Sequence, residues 1–552
     1  MRFIKPLMLV VLTIGPAGAV VAGETPSLRL VRARDGSRVS IDGRPWIRLT
    51  TSPQAVSLNR LKIPPIEPLE SSSVGPSYPS LTSIHAPGGE PRRPWAVPPA
   101  QKGWPVPLSR GEKTGVYASA IYADLDSDGD IEIIQGSYDS KVYAWHHDGT
   151  LVSGWPFTTK SYVMSTPACG DMDNDGHVEV VVNSNDGFLY MLDEGARVVR
   201  GWPKLVDDQY PHEGGAHMQS AAVLADLDGD SHLDVVYNSQ KYGQTFAFDH
   251  EGRNVQGWPR KYGKREFNPA TPAVGDLDGD GHVEVVVAVM YTSDDGLKNY
   301  NRIYVRRSDG ALAKGWPVTL EKYWWSFFES VVLGDLDGDQ DLEVIAKDLT
   351  KLYCLDKNGV RQKGWPVQLP EITDFLDDRL ALANFDQDPA PEIVVGHPYA
   401  VYLLDQDGST FDGFPVYQKC PGGFAVADLN GDGSNDIVSA NAYPSRYLMA
   451  WNGRGKGLPY FPLKPRGYVD YAGPIALDVD GDGDVEVGIG NVPDSDLACL
   501  FYLWDLPSRI DHSKIDWPMS RRDTFNSGRY QAPGQVRGPS LAGTETRGAR
   551  GK

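Results

Sequence analysis

The chain has little that can cross-link it, little that can carry it through a bilayer, and few cations. Its 552 residues include four cysteines, Cys169, Cys354, Cys420 and Cys499, too few for a disulfide scaffold. Spacing leaves their pairing open: export would permit bridges, and buried free thiols satisfy the count equally well. Lys and Arg number 53 against 73 Asp and Glu, a formal charge of −20. That balance argues against nucleic acid as a partner, because the phosphate backbone is bound by basic patches. Past the N-terminus no stretch is apolar for long enough to cross a membrane. G-x-S-x-G, P-loop and Cys/His cluster motifs are also absent.

The N-terminus reads as a secretory signal over residues 1–22. Arg2 and Lys5 precede the apolar segment Leu7–Ile14. Small residues then end at Ala17-Gly18-Ala19 or Val20-Val21-Ala22, either of which offers a cleavage site. The apolar segment is too short to span a bilayer, and no Cys follows it to carry a lipid. The expectation is a mature protein that is extracellular or periplasmic. Residues 23–60 read as a small β extension that turns at Asp42-Gly43, 61–103 as a Pro/Ser-rich linker, and 531–552 as a disordered, Gly-rich basic tail.

What is abundant is repetition. An acidic loop opens at Asp124, Asp171, Asp226, Asp276, Asp335, Asn384, Asp428 and Asp478, at intervals of 47, 55, 50, 59, 49, 44 and 50 residues. A Gly-Trp-Pro marker interleaves with it at Trp104, Trp155, Trp202, Trp258, Trp316 and Trp365, weakening to Phe414-Pro415, Phe461-Pro462 and Trp517-Pro518. Each unit reads as four strands: a short small-residue strand before the loop ("ATPAVGDL"), a continuous apolar run after it ("VEVVVAV"), an alternating strand, and, past an Asp-Gly-like turn, the strand carrying Trp-Pro. Four antiparallel strands in about 50 residues, repeated radially, describe an all-β propeller of eight four-stranded blades over residues 104–530. A linear solenoid would use shorter coils of about 20–30 residues. The bulky ring of Trp-Pro suits a seam between blades, and its Pro is tolerated on an edge strand. Nine such strands serve eight loops, so either the one at Trp104 or the one at Trp517 closes the ring.

The loops place acids at positions 1, 3, 5 and 9: Asp124, Asp126, Asp128 and Glu132; Asp171, Asp173, Asp175 and Glu179; Asp226, Asp228, Asp230 and Asp234; Asp276, Asp278, Asp280 and Glu284; Asp335, Asp337, Asp339 and Glu343; Asp478, Asp480, Asp482 and Glu486. Two vary, with Asn384, Asp386, Asp388 and Glu392 in one and Asp428, Asn430, Asp432 and Asp436 in the other. Turn chemistry asks for one Asp-Gly, not for this set in unit after unit. Uncompensated, the carboxylates would raise one another's pKa values, and a cation removes that cost. Calcium, with six to eight oxygen ligands in flexible geometry, fits better than magnesium, which demands a strict octahedron and keeps its waters. The spacing is not that of an EF-hand, whose last acid falls at position 12 between helices. Gly at position 6 allows the sharp turn, and the ninth acid is expected to close the shell with both oxygens. Ser231 and Gln340 replace that Gly in two loops, Asn430 remains an oxygen ligand, and Pro389 and Pro391 leave the Asn384 loop open as a site. Up to eight structural calcium ions would bring the formal charge from −20 to −4.

The unit D-x-D-x-D-G-x-x-[DE] entering an apolar strand, as in "DMDNDGHVEVVV" (171–182), resembles the FG-GAP or VCBS repeat over residues 104–530. The ending "DWPMSRRDTFNSGRY" (516–530) resembles the terminus of bacterial secreted repeat proteins. The resemblance implies the propeller of integrin α subunits and a calcium-binding role for the loops. It does not fix a ligand, because members include adhesion domains, lectins and the propellers of some polysaccharide lyases.

The acidic loops join first and second strands and so lie at one end of the ring. The loops entering the blades lie at the other and are rich in aromatics. Tyr210, His212, His217, Arg265, Trp324, Trp325, Tyr468 and Tyr471 can line that mouth and bind a sugar or peptide; alternatively, they fill the channel and seams. His212, Glu213 and His217 are spaced H-E-x-x-x-H across two glycines, not the H-E-x-x-H of a metallohydrolase helix. The reading is a secreted, calcium-stabilised binding or adhesion module for glycan or protein. The alternative is a polysaccharide lyase-like enzyme with His212, Lys264 or Arg265 near a uronate. A pyrroloquinoline-quinone dehydrogenase, also eight-bladed, lacks support because its adjacent cysteines are missing.

Overall fold

A computed structural model describes residues 28–33, 36–41, 44–49, 98–108, 115–207, 220–239, 242–263, 266–267, 270–292, 299–323, 331–348, 350–370, 380–386, 388–397, 399–417, 422–441, 446–469, 472–493, 498–509, 515–524 and 526–530. The predicted signal and tail lie outside them, as do residues 61–97 of the predicted linker. The chain divides into two units, residues 1–90 and 91–552. In the first, Leu28–Ala33, Gly36–Ile41 and Arg44–Leu49 form a three-stranded antiparallel sheet in that order.

The second unit is a ring of eight antiparallel blades, with no helix among the described residues. Blade 1 consists of Ile121–Ala123, Glu132–Ser137, Lys141–Trp145 and Phe157–Thr158. The first strands of blades 2 to 8 are Ala168–Gly170, Val223–Ala225, Ala273–Gly275, Val332–Gly334, Leu380–Ala383, Phe424–Ala427 and Ile475–Leu477. These strands are short and rich in small residues because they converge on the axis. The second strands are buried along their length, as in Glu179–Asn183 and Glu392–His397, which is why they read as unbroken apolar runs.

The Trp-Pro strands do form the seams. The indole Nε1 of Trp155 donates to the carbonyl of Glu194 in the next blade at 2.9 Å, and Trp202, Trp258, Trp316 and Trp365 repeat the contact to His250, Ser308, Lys357 and Gln406. The ring buries apolar area while its one polar atom is satisfied. The preceding glycine lets the two backbones touch: at Gly315, with φ +90°, an added Cβ would lie 1.9 Å from the carbonyl oxygen of Asn358.

The choice between the two spare strands is settled. Val106–Pro107 pairs with Leu500–Arg509 as the outer strand of blade 8, and Trp104 donates to the carbonyl of His147 in blade 1. The N-terminal strand therefore closes the ring. From Ala100 the chain already runs along blade 8, where Ala100 bridges Trp504. The strand at Trp517 goes elsewhere. Ile515–Trp517 pairs with the inner edge of Phe424–Ala427, on the axis side of blade 7.

From there the chain occupies the ring's centre. Pro518 accepts from Ala476 N in blade 8, Thr524 from Cys169 N in blade 2, Ser527 from Val274 N in blade 4 and Gly528 from Leu333 N in blade 5. The Asn526 amide donates to the carbonyls of Pro167 and Ala222, at the entries of blades 2 and 3. Arg521 donates to the carbonyls of Val331 and Pro272, at the entries of blades 5 and 4. Asp516 accepts from Asn384 N, at the loop end of blade 6. The segment enters at the acidic-loop end, turns over residues 521–524 at the opposite end, and returns.

Candidate functional site

The eight acidic loops share one hydrogen bond, and most of them a wider pattern. In blade 4, Asp276 accepts from the backbone N–H groups of Asp280 and Gly281 at 3.1 and 2.9 Å, Asp280 accepts from His282 N at 2.9 Å, and Glu284 Oε2 accepts from Leu277 N at 2.9 Å. The bond from position 2 to the ninth acid recurs in all eight loops, to Glu132, Glu179, Asp234, Glu284, Glu343, Glu392, Asp436 and Glu486. One oxygen of that acid is thus already committed to an N–H. That oxygen keeps a second lone pair, so the expected closing of the shell by both oxygens stays open.

The other oxygen faces the remaining carboxylates. In blades 6, 7 and 8 the side chains of Glu392, Asp436 and Glu486 are fully buried, and one oxygen of each has no hydrogen-bond partner. Ligand oxygens of Asp124, Asp126 and Glu132, of Asp171, Asp173 and Glu179, of Asp226, Asp228 and Asp230, and of Asp276, Asp278 and Glu284 gather within 4.8 Å of one another. Burial, and after it the facing aspartates, push the ninth acids up: Glu132, Glu179, Asp234, Glu284 and Glu343 to about 7, Glu392 and Asp436 to about 8, and Glu486 to about 9, against the pull of the position-2 N–H. An all-oxygen, high-charge donor set with orphaned buried oxygens fits a hard divalent cation.

Two of the irregular loops keep the same turn: Ser231 and Gln340 adopt φ of 75° and 76° where five loops have Gly, so the turn survives with a strained residue. The Asn384 loop has Pro389 there and does not share that positive φ. Asn430 turns its amide nitrogen toward Asp436 at 2.9 Å. Asn384 likewise directs its amide nitrogen to the carbonyl of Asp388, while Asp386, Asp388 and Glu392 keep the common pattern.

Residues from the turn after the third strand also reach the loops. His146 Nδ1 lies 3.0 Å from Glu132 Oε1, and Gln362 and Gln406 donate to Asp337 and Asp388 at 3.1 Å. Strand register explains the first of them: Ile133 pairs with Trp145, so the next pair outward is Glu132 and His146. A reading of the loops as local motifs cannot find a residue that arrives from the next hairpin. The signal was the near-constant spacing from loop to Asp-Gly turn.

Of the eight residues expected at the ligand mouth, Tyr468 is described. It is half-buried, exchanges backbone hydrogen bonds with Val492, and has the Arg446 guanidinium 5.9 Å from its ring centroid. Tyr210, His212, His217, Arg265, Trp324, Trp325 and Tyr471 lie outside the described residues. The same end carries aromatics beyond those eight. Tyr138, just past the second strand of blade 1, stacks on Tyr162, in the loop entering blade 2, with centroids 3.8 Å apart and planes at 9°. Tyr117 leans on Tyr138 at 5.4 Å. On blade 4, Tyr291 lies under the Arg302 guanidinium at 5.0 Å, and on blade 6 Tyr399 is exposed beside His397. Three of these five, Tyr138, Tyr291 and Tyr399, stand where second strands end or turn into third strands, a loop set that carries no repeated motif. Cys169, Cys354 and Cys499 are buried free thiols, and Cys420 lies outside the described residues.

A β-ring with an acidic loop on every blade defines a class of repeat propeller. The model of the FG-GAP-like repeat matches residues 124–182, 226–287, 276–346 and 428–489, each match opening on the first acid of a loop. With the eight-bladed ring, these matches make the chain an FG-GAP repeat β-propeller protein. The loop outside every match is that at Asn384, which carries Pro389 and Pro391. No curated protein matches the chain. Solved structures similar to it include the Vibrio cholerae biofilm matrix protein Bap1 (14% identity, 79% of this chain and 97% of that one, TM-score 0.43). Saccharomyces cerevisiae Sqt1 is another (12%, 74% and 100%, 0.49), as is a europium-containing methanol dehydrogenase (12%, 73% and 93%, 0.46). None of these three reaches a TM-score of 0.5, and none bears on the ligand of this chain.

Proposed function

We propose that this is a secreted propeller, stiffened by calcium in its acidic loops, whose opposite end binds a glycan or protein ligand without catalysis. The observation that carries the binding role is the Tyr117–Tyr138–Tyr162 stack, which brings three half-buried rings from two blades to the end away from the loops. Aromatic faces held on a rigid scaffold suit the apolar faces of sugar rings or a peptide. The buried, unpartnered oxygens of Glu392, Asp436 and Glu486 support the metal. In each loop the residues at 1, 3, 5 and 9 would hold the ion, which there supplies charge compensation and fixes the turn. Secretion is supported by the basic and apolar N-terminus.

The test is co-sedimentation of the calcium-loaded chain with acidic and neutral polysaccharides, with polymer length followed in the same tubes. Retention at unchanged length, weakened about tenfold or more by Tyr138→Ala with Tyr162→Ala, is expected. Shortened polymer would contradict the non-catalytic reading. Retention that the tyrosine pair does not affect would remove this end as the site.

A further inference from the structure

We propose that the axis of the ring is a peptide-binding site whose occupant is residues 515–530 of the same chain, held non-covalently and replaceable in trans by the same segment of a second copy. The ring is complete without this segment. Blade 8 is closed by Val106–Pro107, and the Phe461–Leu463 edge lies along blade 7, where Leu463 bridges Leu448. Residues 515–530 are therefore an added strand and turn, not the missing part of a blade.

The axial wall is prepared for an extended peptide. It offers the N–H groups of Cys169, Val274, Leu333 and Ala476, and the carbonyls of Pro167, Ala222, Pro272 and Val331, all met by this one segment. Strand addition to Phe424–Ala427 supplies main-chain affinity, and side chains supply selection. Three of those side chains are buried and polar. Asp516, 2% exposed, accepts from Asn384 N at 2.7 Å, the Asn435 amide at 2.9 Å and the Tyr530 hydroxyl at 3.3 Å. Asn526 is fully buried between two blade entries, and Arg521, 5% exposed, spans two more. A peptide lacking these groups would leave buried donors and acceptors unmet, so the site discriminates. Trp517 and Tyr530 add large apolar anchors among the inner strands of blades 5 to 7.

The experiment starts from the full chain, folded with a protease site inserted between Asp511 and His512 and cleaved only after folding. The C-terminal fragment is expected to stay with the ring through size exclusion. A labelled synthetic peptide of residues 515–530 is then expected to exchange in, competed by unlabelled peptide. The Asp516→Ala and Asn526→Ala peptides are expected to compete at least 100-fold more weakly. Immediate loss of the fragment would overturn the proposal. So would no uptake of label over days, a ring that unfolds as the fragment leaves, or variant peptides that compete equally.

Discussion

The acidic loops and the axial segment solve opposite problems with the same residue type. Each loop buries its ninth carboxylate, and at Glu392, Asp436 and Glu486 one oxygen of it is left unmet. The axial segment buries Asp516 just as deeply, yet gives it three donors. A buried carboxylate must be neutralised or hydrogen-bonded. The axis does this with protein groups. The loops leave it to a proton or a cation, and their ninth acids, pushed to about 7–9, stand ready for either.

The comparison sharpens first at Asp516. Asp516→Ala strands a backbone N–H, an amide and a hydroxyl, and should cost about 3–5 kcal/mol in thermal or denaturant unfolding. A smaller loss than that of Asp484→Ala, at a half-buried strand-start position outside the 1, 3, 5, 9 pattern, would show that the axis is not a stabilising element. Next comes the seam: Gly315→Ala must adopt φ +90° against the Asn358 carbonyl, and should cost about 3 kcal/mol.

The metal-free loops should then respond to pH in the sense opposite to ordinary salt-bridged acids. Their ninth acids have folded pKa values raised above the unfolded ones, so the folded state binds more protons between the two. The stability this gives is present below about 4 and is lost as pH rises through about 7–9. In chelator the melting temperature should fall from pH 5 to pH 9, and added calcium should flatten that slope. A chelator curve that rises over the range would break the comparison. The smallest effect is backbone relief. Ser231→Gly and Gln340→Gly should each stabilise by about 1 kcal/mol, while Gly281→Ser, which imposes the same strain on a regular loop, should cost a similar amount.

Periodicity explains which parts were legible. Eight acidic loops and a Trp-Pro marker at similar spacing specified blade number, strand order and seam, because every blade repeats the same local demands. The axial segment occurs once. Trp517-Pro518 looked like a ninth seam strand because its local sequence resembles one, and only its position beside Phe424–Ala427 tells it apart. His146, Gln362 and Tyr138 were missed for a related reason: their roles come from strand register and blade adjacency, which no short window of sequence carries.

Calorimetric titration of the metal-stripped mature chain with calcium tests the central claim most directly. The account predicts saturable binding at about one ion per well-formed loop, with the melting temperature rising sharply as sites fill, since each site held at 100 times its Kd adds about 2.7 kcal/mol. No binding, together with an unchanged melting curve, would mean that the carboxylates are neutralised by protons alone and that the repeated loop is not a cation site.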